Sequence, residues 1–129
     1  MFVVLDANVL VSAFWSRDSN PARIVSLALN SIITPCFDSR IMNEYRGVLY
    51  RKKFGFEKWE INQVLAQLEN DGLSVVPVPL SIRFVDESDK KFYEIAKHCN
   101  ASLVTGNVRH YPRDPLVVTP ADFLAAFKE

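Results

Sequence analysis

A small set of acids and amides lies where predicted strands end and predicted helices begin, with one further acid inside a predicted helix. They are Asp6, Asn8, Glu44, Asp86, Asp89 and Asn107. Ionised carboxylates that lie close together raise one another's pKa, so such a cluster is unfavourable unless a cation neutralises it. Oxygen ligands without cysteine or histidine suit hard ions such as Mg²⁺ or Mn²⁺. We therefore expect Asp6, Glu44 and Asp89 to hold a metal ion that activates water for cleavage of a phosphodiester.

Asp6 is a candidate because of the sequence that precedes it. The uninterrupted apolar run Phe2–Leu5 predicts a strand buried on both faces, as in a parallel sheet. Asp6 then lies at the carboxyl end of that strand, where open parallel α/β sheets bind ligands. Asn8 is predicted to cap the helix that follows. The plainer interpretation, that both residues only close the strand and start the helix, stays open.

Each of the other candidates also has a plainer interpretation. Glu44 lies at the margin of a helical apolar stripe, so it is aimed partly at the protein, or else it pairs with a basic neighbour in solvent. Asp86 and Asp89 begin a predicted helix, where capping and the helix dipole favour acids. Asn107 follows Gly106 in a predicted turn, which is a common place for asparagine.

The elements that position these residues alternate between strands and helices. Strands are predicted at Phe2–Leu5, Ile32–Phe37, Leu73–Val78, Ser102–Val104 and Leu116–Val118. Helices are predicted at Asn8–Trp15, Pro21–Leu29, Ser39–Arg51, Glu57–Asn70, Asp86–Cys99 and Pro120–Phe127, with Asn20, Ser39 and Thr119 as caps. Pro77 and Pro79 place the third strand at an edge. The order predicts the α/β class: a three-layer α/β/α sandwich around a mainly parallel sheet of four to five strands.

Size and composition predict one globular domain over residues 1–129, since 49% of the residues are hydrophobic. No apolar run approaches the roughly 20 residues that span a bilayer, and no signal peptide is evident, so we expect a cytoplasmic protein without membrane contact. Cys36 and Cys99 are expected to be buried free thiols. The formal net charge of zero argues against nucleic-acid binding by bulk charge, but it allows local basic patches.

Five segments resemble a known family: LDANVLVSAF, SRIMNEYRGVL, VDESDKKFYEIAK, SLVTGNVRHYP and TPADFL. In this order and at about this spacing they resemble PIN-domain proteins, and within that superfamily the bacterial toxin components of toxin–antitoxin pairs. The resemblance covers essentially the whole chain. It implies a PIN-like fold, an Mg²⁺- or Mn²⁺-dependent ribonuclease with one or two ions, a cognate antitoxin as partner, and a homodimer.

The resemblance also implies roles for individual residues. Asp6, Glu44 and Asp89 match the catalytic, metal-binding acids, Asp86 is a further candidate ligand, and Asn8 and Thr105 match supporting residues. Asn107 stands where the family often has an aspartate. Because an amide carries no charge, a second ion would be held less firmly there, although related sequences of this group often share the TGN turn.

Contacts to RNA are expected from basic residues near the acids, each as a salt-sensitive phosphate contact. They are Arg46, Lys52, Lys53, Arg109 and His110, with Arg51 and Arg113 as further candidates. Arg109 and His110 are preferred because they follow the Asn107 turn directly, whereas ordinary solvated charge is the plainer interpretation of the others. His110 is also an alternative general base, although a metal-bound water needs no histidine.

Two other functions stay open. A small phosphohydrolase would match the Asp6–Asn8 loop in outline, but Asn8 replaces the second acid and no glycine-rich phosphate cradle is evident. A catalytically silent PIN-like module that binds RNA or protein is favoured by Asn107 and the balanced charge. Trp15 and Trp59 are predicted to pack in the core or at a subunit contact, with base stacking as the alternative. The helices Pro21–Leu29 and Glu57–Asn70 offer a surface for a homodimer.

Overall fold

A computed structural model describes residues 1–127, and within them five parallel strands form one sheet. The strands are β1 (Phe2–Leu5), β2 (Thr34–Phe37), β3 (Leu73–Ser74), β4 (Ser102–Val104) and β5 (Val117–Val118). Their order is β3-β2-β1-β4-β5, and every neighbouring pair is parallel. β1 lies at the centre, as its sequence predicts, since Val3, Val4 and Leu5 expose no surface.

Six α-helices of the described residues flank this sheet. They are α1 (Ala7–Trp15), α2 (Asn20–Leu29), α3 (Ser39–Leu49), α4 (Lys58–Asp71), α5 (Lys90–Cys99) and α6 (Pro120–Ala126). The helix α5 packs on β1, β2 and β4 and also contacts α3, while α1 packs on α2 and α3. This arrangement confirms the predicted three-layer α/β/α sandwich, and it brings α3 and α5 together beside the central strand.

Three of the predicted caps are wrong by one or two residues. α1 begins at Ala7, so Asn8 lies in its first turn, and Asp6 occupies the cap position without a side-chain cap bond. α2 is capped by Ser19 rather than Asn20, because the Ser19 hydroxyl accepts the hydrogen bond from the Ala22 N–H at 3.2 Å. Adjacent polar residues of cap-forming type cannot be separated by residue type alone.

At the other helix ends, the structure corrects one cap and confirms two predictions. Asp38, not Ser39, caps α3. The predicted cap Thr119 accepts the hydrogen bond from the Asp122 N–H at 3.1 Å and starts α6. Gly72 ends α4 as predicted, and a Cβ atom there would lie 2.5 Å from the Leu68 carbonyl oxygen.

Two predicted elements are shorter than expected. The third strand pairs with β2 only at Leu73 and Ser74, at the edge of the sheet, and residues 75–85 form no regular element. The predicted helix from Asp86 is divided: a 3-10 turn spans Glu87–Asp89, and α5 begins at Lys90. Asp89 is therefore at the junction between the turn and α5, where it occupies the cap position of α5 without a side-chain cap bond.

The structure also tests the predictions on cysteine and tryptophan. Both cysteines are free; Cys36 is buried, where burial raises its thiol pKa to about 12, and Cys99 is only partly buried. Trp15 and Trp59 do not pack in the core, because they are 60% and 64% exposed; of the two predicted places, the subunit contact is the one that this exposure allows. Among the described residues, no helix has both the length and the apolar character needed to cross a membrane.

Candidate active site

Asp6 is held by two hydroxyl groups at the carboxyl end of the central strand. Its N–H donates to the Val104 carbonyl at 3.0 Å, and the residue is only 6% exposed. Thr105 and Tyr111 each donate from a hydroxyl group to Asp6 Oδ2 at 2.8 Å. Within residues 1–127 no group donates a hydrogen bond to Oδ1. One oxygen of the carboxylate is thus fixed in position, and the other is free to bind a ligand.

Asn8 ties the turn after β4 to the start of α1. Its Oδ1 accepts the hydrogen bond from the Gly106 N–H at 3.0 Å, and its Nδ2 lies 3.5 Å from Thr105 Oγ1. The buried Thr105 Oγ1 also accepts the Asn107 N–H at 3.0 Å. Asn107 itself is exposed and makes no side-chain cap bond. Asn8 therefore acts on Asp6 indirectly, because it fixes the turn that carries Thr105.

Glu44 faces α5, where a lysine neutralises it. The Lys91 Nζ lies 2.5 Å from Glu44 Oε1, and the exposed fractions of the two side chains are 13% and 25%. Lys91 also donates to the Ser88 carbonyl, and its Nζ lies 5.1 Å from the centre of the Phe92 ring. Glu44 is partly directed at the protein, as its position at the margin of the stripe predicts. It also pairs with a basic neighbour, which was the plainer interpretation.

Asp89 is a largely buried acid with an oxygen that accepts no hydrogen bond. Its side chain is 15% exposed, and its Oδ2 makes no hydrogen bond to any described residue, although His110 Nδ1 lies 3.3 Å away as an ion-pair partner. Burial raises the pKa of Asp89, the charges of Asp6 and Asp86 raise it further, and His110 opposes them. An acid oxygen in this environment favours a cation beside it.

Asp86 has a different environment from Asp89. It is exposed, and its Oδ1 accepts hydrogen bonds from the Ser88 hydroxyl at 2.7 Å and the Ser88 N–H at 2.9 Å. These bonds to Ser88 lower the pKa of Asp86. The structure therefore gives Asp86 a capping contact, which was the plainer of its two interpretations.

Beyond the effect of burial, the charges of Asp6, Glu44 and Asp89, which come from separate elements, all raise the pKa of one buried hydroxyl group, that of Tyr111. Tyr45 lies nearby: it is 3% exposed, donates to the Leu5 carbonyl at 2.5 Å, and has its pKa raised by burial and by the charges of Asp6 and Glu44. The fold thus brings Asp6, Glu44 and Asp89 to one region at the end of β1.

The carboxylate oxygens of this region are the type of ligand that a hard divalent ion prefers, but they do not form a complete coordination shell. Over residues 1–127, no three acids, histidines or cysteines are grouped closely enough to hold an ion. Asp89 Oδ2 is buried and accepts no hydrogen bond from the described residues, and Asp6 Oδ1 accepts none either. Mg²⁺ is commonly bound by one or two carboxylates together with waters and substrate phosphates. The residues present therefore fit an ion held by few protein ligands.

The predicted RNA-contacting residues fall in two places. Arg109 and His110 lie in the 3-10 turn Val108–His110 after Asn107, and both are exposed. Arg109 lines a cavity of about 420 Å³, which Arg113 also lines. The others are exposed on α3 and in the loop after it: Arg46, Arg51, Lys52 and Lys53. In the first group, His110 Nδ1 lies 3.3 Å from Asp89 Oδ2.

Sequence reasoning missed three residues that shape this region: Tyr111, Lys91 and Glu94. A tyrosine directly after the Asn107 turn was the available signal for Tyr111. Glu94 is 5% exposed on the inner face of α5. The signal for it in the sequence was an acidic residue on the apolar face of a predicted helix. It accepts hydrogen bonds from Arg40 Nη1 at 3.0 Å and from the Leu80 N–H at 2.8 Å. Glu94 therefore anchors residues 75–85 and has no free oxygen for an ion.

Comparison with protein families finds a match over most of the chain. A family model described as PIN domain matches residues 2–109, which include Asp6, Glu44, Asp89 and Asn107. The match ends before His110 and Tyr111. The comparison with curated proteins found no match, and neither did the comparison with solved structures.

Proposed function

The chain belongs to the PIN-domain family, whose members are typically nucleases, and from that premise we propose that it is a metal-dependent endoribonuclease. The observation that carries the proposal is the buried Asp89 Oδ2, which accepts no hydrogen bond, together with Asp6 Oδ1, which also accepts none. A buried ionised oxygen without a donor is costly unless a cation pairs with it.

In this proposal Asp6 and Asp89 would hold Mg²⁺ or Mn²⁺, and Glu44 would contribute its charge beside them. When bound, the ion supplies an activated water and stabilises charge on the phosphoryl oxygens. Thr105 and Tyr111 restrict the rotation of the Asp6 carboxylate, because both hold the same oxygen at 2.8 Å. The catalytic geometry is therefore set by neutral donors that do not compete for the free oxygen.

Charge balance favours one ion over two. The three acids and the ammonium of Lys91 together carry two negative charges, which a single divalent ion neutralises. Asn107 adds no charge. A second ion would leave the region positively charged, and Glu44 would have to exchange its contact with Lys91 for it.

Substrate contacts in the proposal come from Arg109 and His110, which are exposed beside Asp89. A phosphate backbone bound there would give a salt-sensitive affinity. The sequence resemblance further supports a cytoplasmic toxin that a cognate antitoxin holds in check and that acts as a homodimer. The helices α2 and α4, which pack on each other, are the surface proposed for the dimer contact.

A catalytically silent PIN module that binds RNA or protein is the second candidate. The observation that favours it is the Lys91–Glu44 ion pair, because a lysine already neutralises one of the three acids. In that case the protein would bind RNA equally well with and without divalent ions.

Cleavage of single-stranded RNA with MnCl₂ or with EDTA tests the proposal. Wild type should cleave only with Mn²⁺, and Asp6→Asn should reduce cleavage to background. Asp114→Asn is the matched control, since Asp114 also accepts a tyrosine hydroxyl, that of Tyr93, at 2.8 Å. Its other partners are Lys97 and the Leu116 N–H, and it makes no contact with Asp6. RNA binding without cleavage in wild type would instead support the silent module.

A further inference from the structure

Exposed aromatic rings and cations concentrate in the loop between α3 and α4. We propose that this surface, residues 50–59 together with Trp15, binds single-stranded RNA. We call it the α3–α4 platform. The inference rests on the proposed function, because it takes RNA as the substrate. It adds a second RNA-binding surface, separate from Asp6, Glu44 and Asp89.

The rings of the α3–α4 platform support one another and leave two tryptophans open. Phe54 and Phe56 stack with ring centres 5.3 Å apart and planes 12° apart, and Trp15 meets the Phe56 ring edge-on at 5.3 Å. Trp15 is nevertheless 60% exposed and Trp59 64% exposed. Exposed aromatic faces on a rigid base are what stacking with unpaired bases requires, since every base offers a π-face.

The charge of the α3–α4 platform is complementary to phosphate. Its cations are Arg51, Lys52, Lys53 and Lys58, all of them exposed. None of the four belongs to an ion pair in the described part of the chain, and Glu57 is the acid among residues 50–59. The whole chain has a net charge of zero, so this excess is local. A neutral protein binds a polyanion through such a patch rather than through its total charge.

The α3–α4 platform also has a concave part of suitable size. A cavity of about 490 Å³ is lined by three cations and one acid together with aromatic rings: Arg51, Lys52, Lys58, Glu57, Phe56 and Trp59. Cations and rings therefore face the same space, as they do in proteins that bind single strands without sequence preference. A base held against Trp59 would place its phosphates within reach of these cations.

Helix α3 connects the platform to the candidate active site. Glu44 lies in α3, and Tyr50 follows six residues later, which corresponds to about 9 Å along a helix at 1.5 Å per residue. The separation along the helix axis between Glu44 and the start of the platform is therefore less than two helical turns. A second copy of the chain is a poorer occupant, because a two-fold symmetric contact would place the same four cations opposite themselves.

Fluorescence anisotropy with a labelled 12-nucleotide single-stranded RNA tests the inference. The whole chain carries Asp6→Asn so that no cleavage interferes. Trp59→Ala should weaken binding at least about fivefold, from the stacking contribution per base. Trp59→Phe should retain most of the affinity, because it keeps a ring. Lys52→Ala with Lys53→Ala should lower the slope of log K against log salt concentration by about 1.4, from two phosphate contacts.

Arg83→Ala is the matched control, since Arg83 is an exposed cation in residues 75–85, outside the platform and outside α2 and α4. It should leave the affinity unchanged. Unchanged affinity in the Trp59→Ala and the double lysine variants would overturn the inference. Loss of a dimer in size-exclusion chromatography with intact RNA affinity would also overturn it, in favour of a contact between copies. Neither result touches the proposed function, which depends on Mn²⁺-dependent cleavage by wild type.

Discussion

Tyr111 donates a hydrogen bond from its phenol group to Asp6 Oδ2 at 2.8 Å, and the two residues are 105 positions apart in the sequence. Thr105 donates to the same oxygen. The family model that matches the chain ends before Tyr111, so this contact comes from outside the matched region. A carboxylate at the end of the central strand is thus oriented by a residue from the turn after β4 and by one just beyond it.

Tyr111→Phe keeps the buried ring and removes the donor. The free energy of unfolding should fall by about 1–2 kcal/mol, since a hydrogen bond to a charged group is lost while Thr105 still holds the oxygen. RNA cleavage should also fall, because the Asp6 carboxylate gains rotational freedom. Urea denaturation and initial cleavage rates measure the two effects.

Tyr93→Phe is the control for that variant. The Tyr93 hydroxyl donates to Asp114 at 2.8 Å, and Lys97 and the Leu116 N–H also hold that carboxylate. Stability should fall by a similar or smaller amount, while cleavage stays at the wild-type rate. If Tyr111→Phe and Tyr93→Phe cleaved equally well, Tyr111 would have a structural role only.

Lys91→Met tests whether Lys91 supplies the cation beside Glu44 when no metal is bound. In EDTA the variant should lose about 1–2 kcal/mol of unfolding free energy, more than an exposed pair contributes, because both side chains are largely buried. Mn²⁺ should restore more stability to the variant than it adds to wild type. Thermal melts with and without MnCl₂ measure this difference.

Lys97→Met is the matched variant, since Lys97 also lies on α5 and pairs with an acid, Asp114, at 2.8 Å. Its loss of stability should not respond to Mn²⁺ beyond the wild-type response. An equal response of Lys91→Met and Lys97→Met to Mn²⁺ would show that Glu44 plays no part in neutralising the ion.

Asp89→Asn should stabilise the metal-free protein at neutral pH while it abolishes cleavage. Burial raises the folded-state pKa of Asp89, so its charged form is less favourable in the folded state than in the unfolded chain. The wild-type penalty is absent below the ordinary value of 3.8 and grows as the pH rises through the folded pKa. The stability difference between variant and wild type should therefore be positive at pH 7 and vanish in acid. Urea denaturation in EDTA across this range measures it; a destabilised variant at pH 7 would contradict it.

The sequence predicts the scaffold of this site better than its contacts. The run Phe2–Leu5 identifies the central strand because burial on both faces demands an uninterrupted apolar sequence, and Asp6 follows from where that run stops. The position of Asp89 at the junction of a turn and a helix was not predicted, since residue types allow one continuous helix from Asp86. Local patterns therefore locate the acids but not their directions.

Contacts between distant elements could not be predicted from the sequence for a different reason. The pairing of Lys91 with Glu44 depends on how α3 packs against α5. Residue type alone does not distinguish Lys90 from Lys91 as the partner of Glu44. Tyr111 is buried although its neighbour His110 is exposed, and only the path of the loop decides which of them reaches Asp6. These outcomes depend on tertiary packing, which overrides local preference.

Crystals grown with MnCl₂ and measured at the manganese absorption edge test the metal site most directly. The proposal predicts one anomalous peak per chain, in contact with the carboxylates of Asp6 and Asp89, with Lys91 still paired to Glu44. Crystals of the Asp6→Asn protein should lose that peak. If crystals in saturating Mn²⁺ showed no peak at Asp6 and Asp89, or showed ordered ions only elsewhere, the result would contradict the assignment of these acids as a metal-dependent nuclease site.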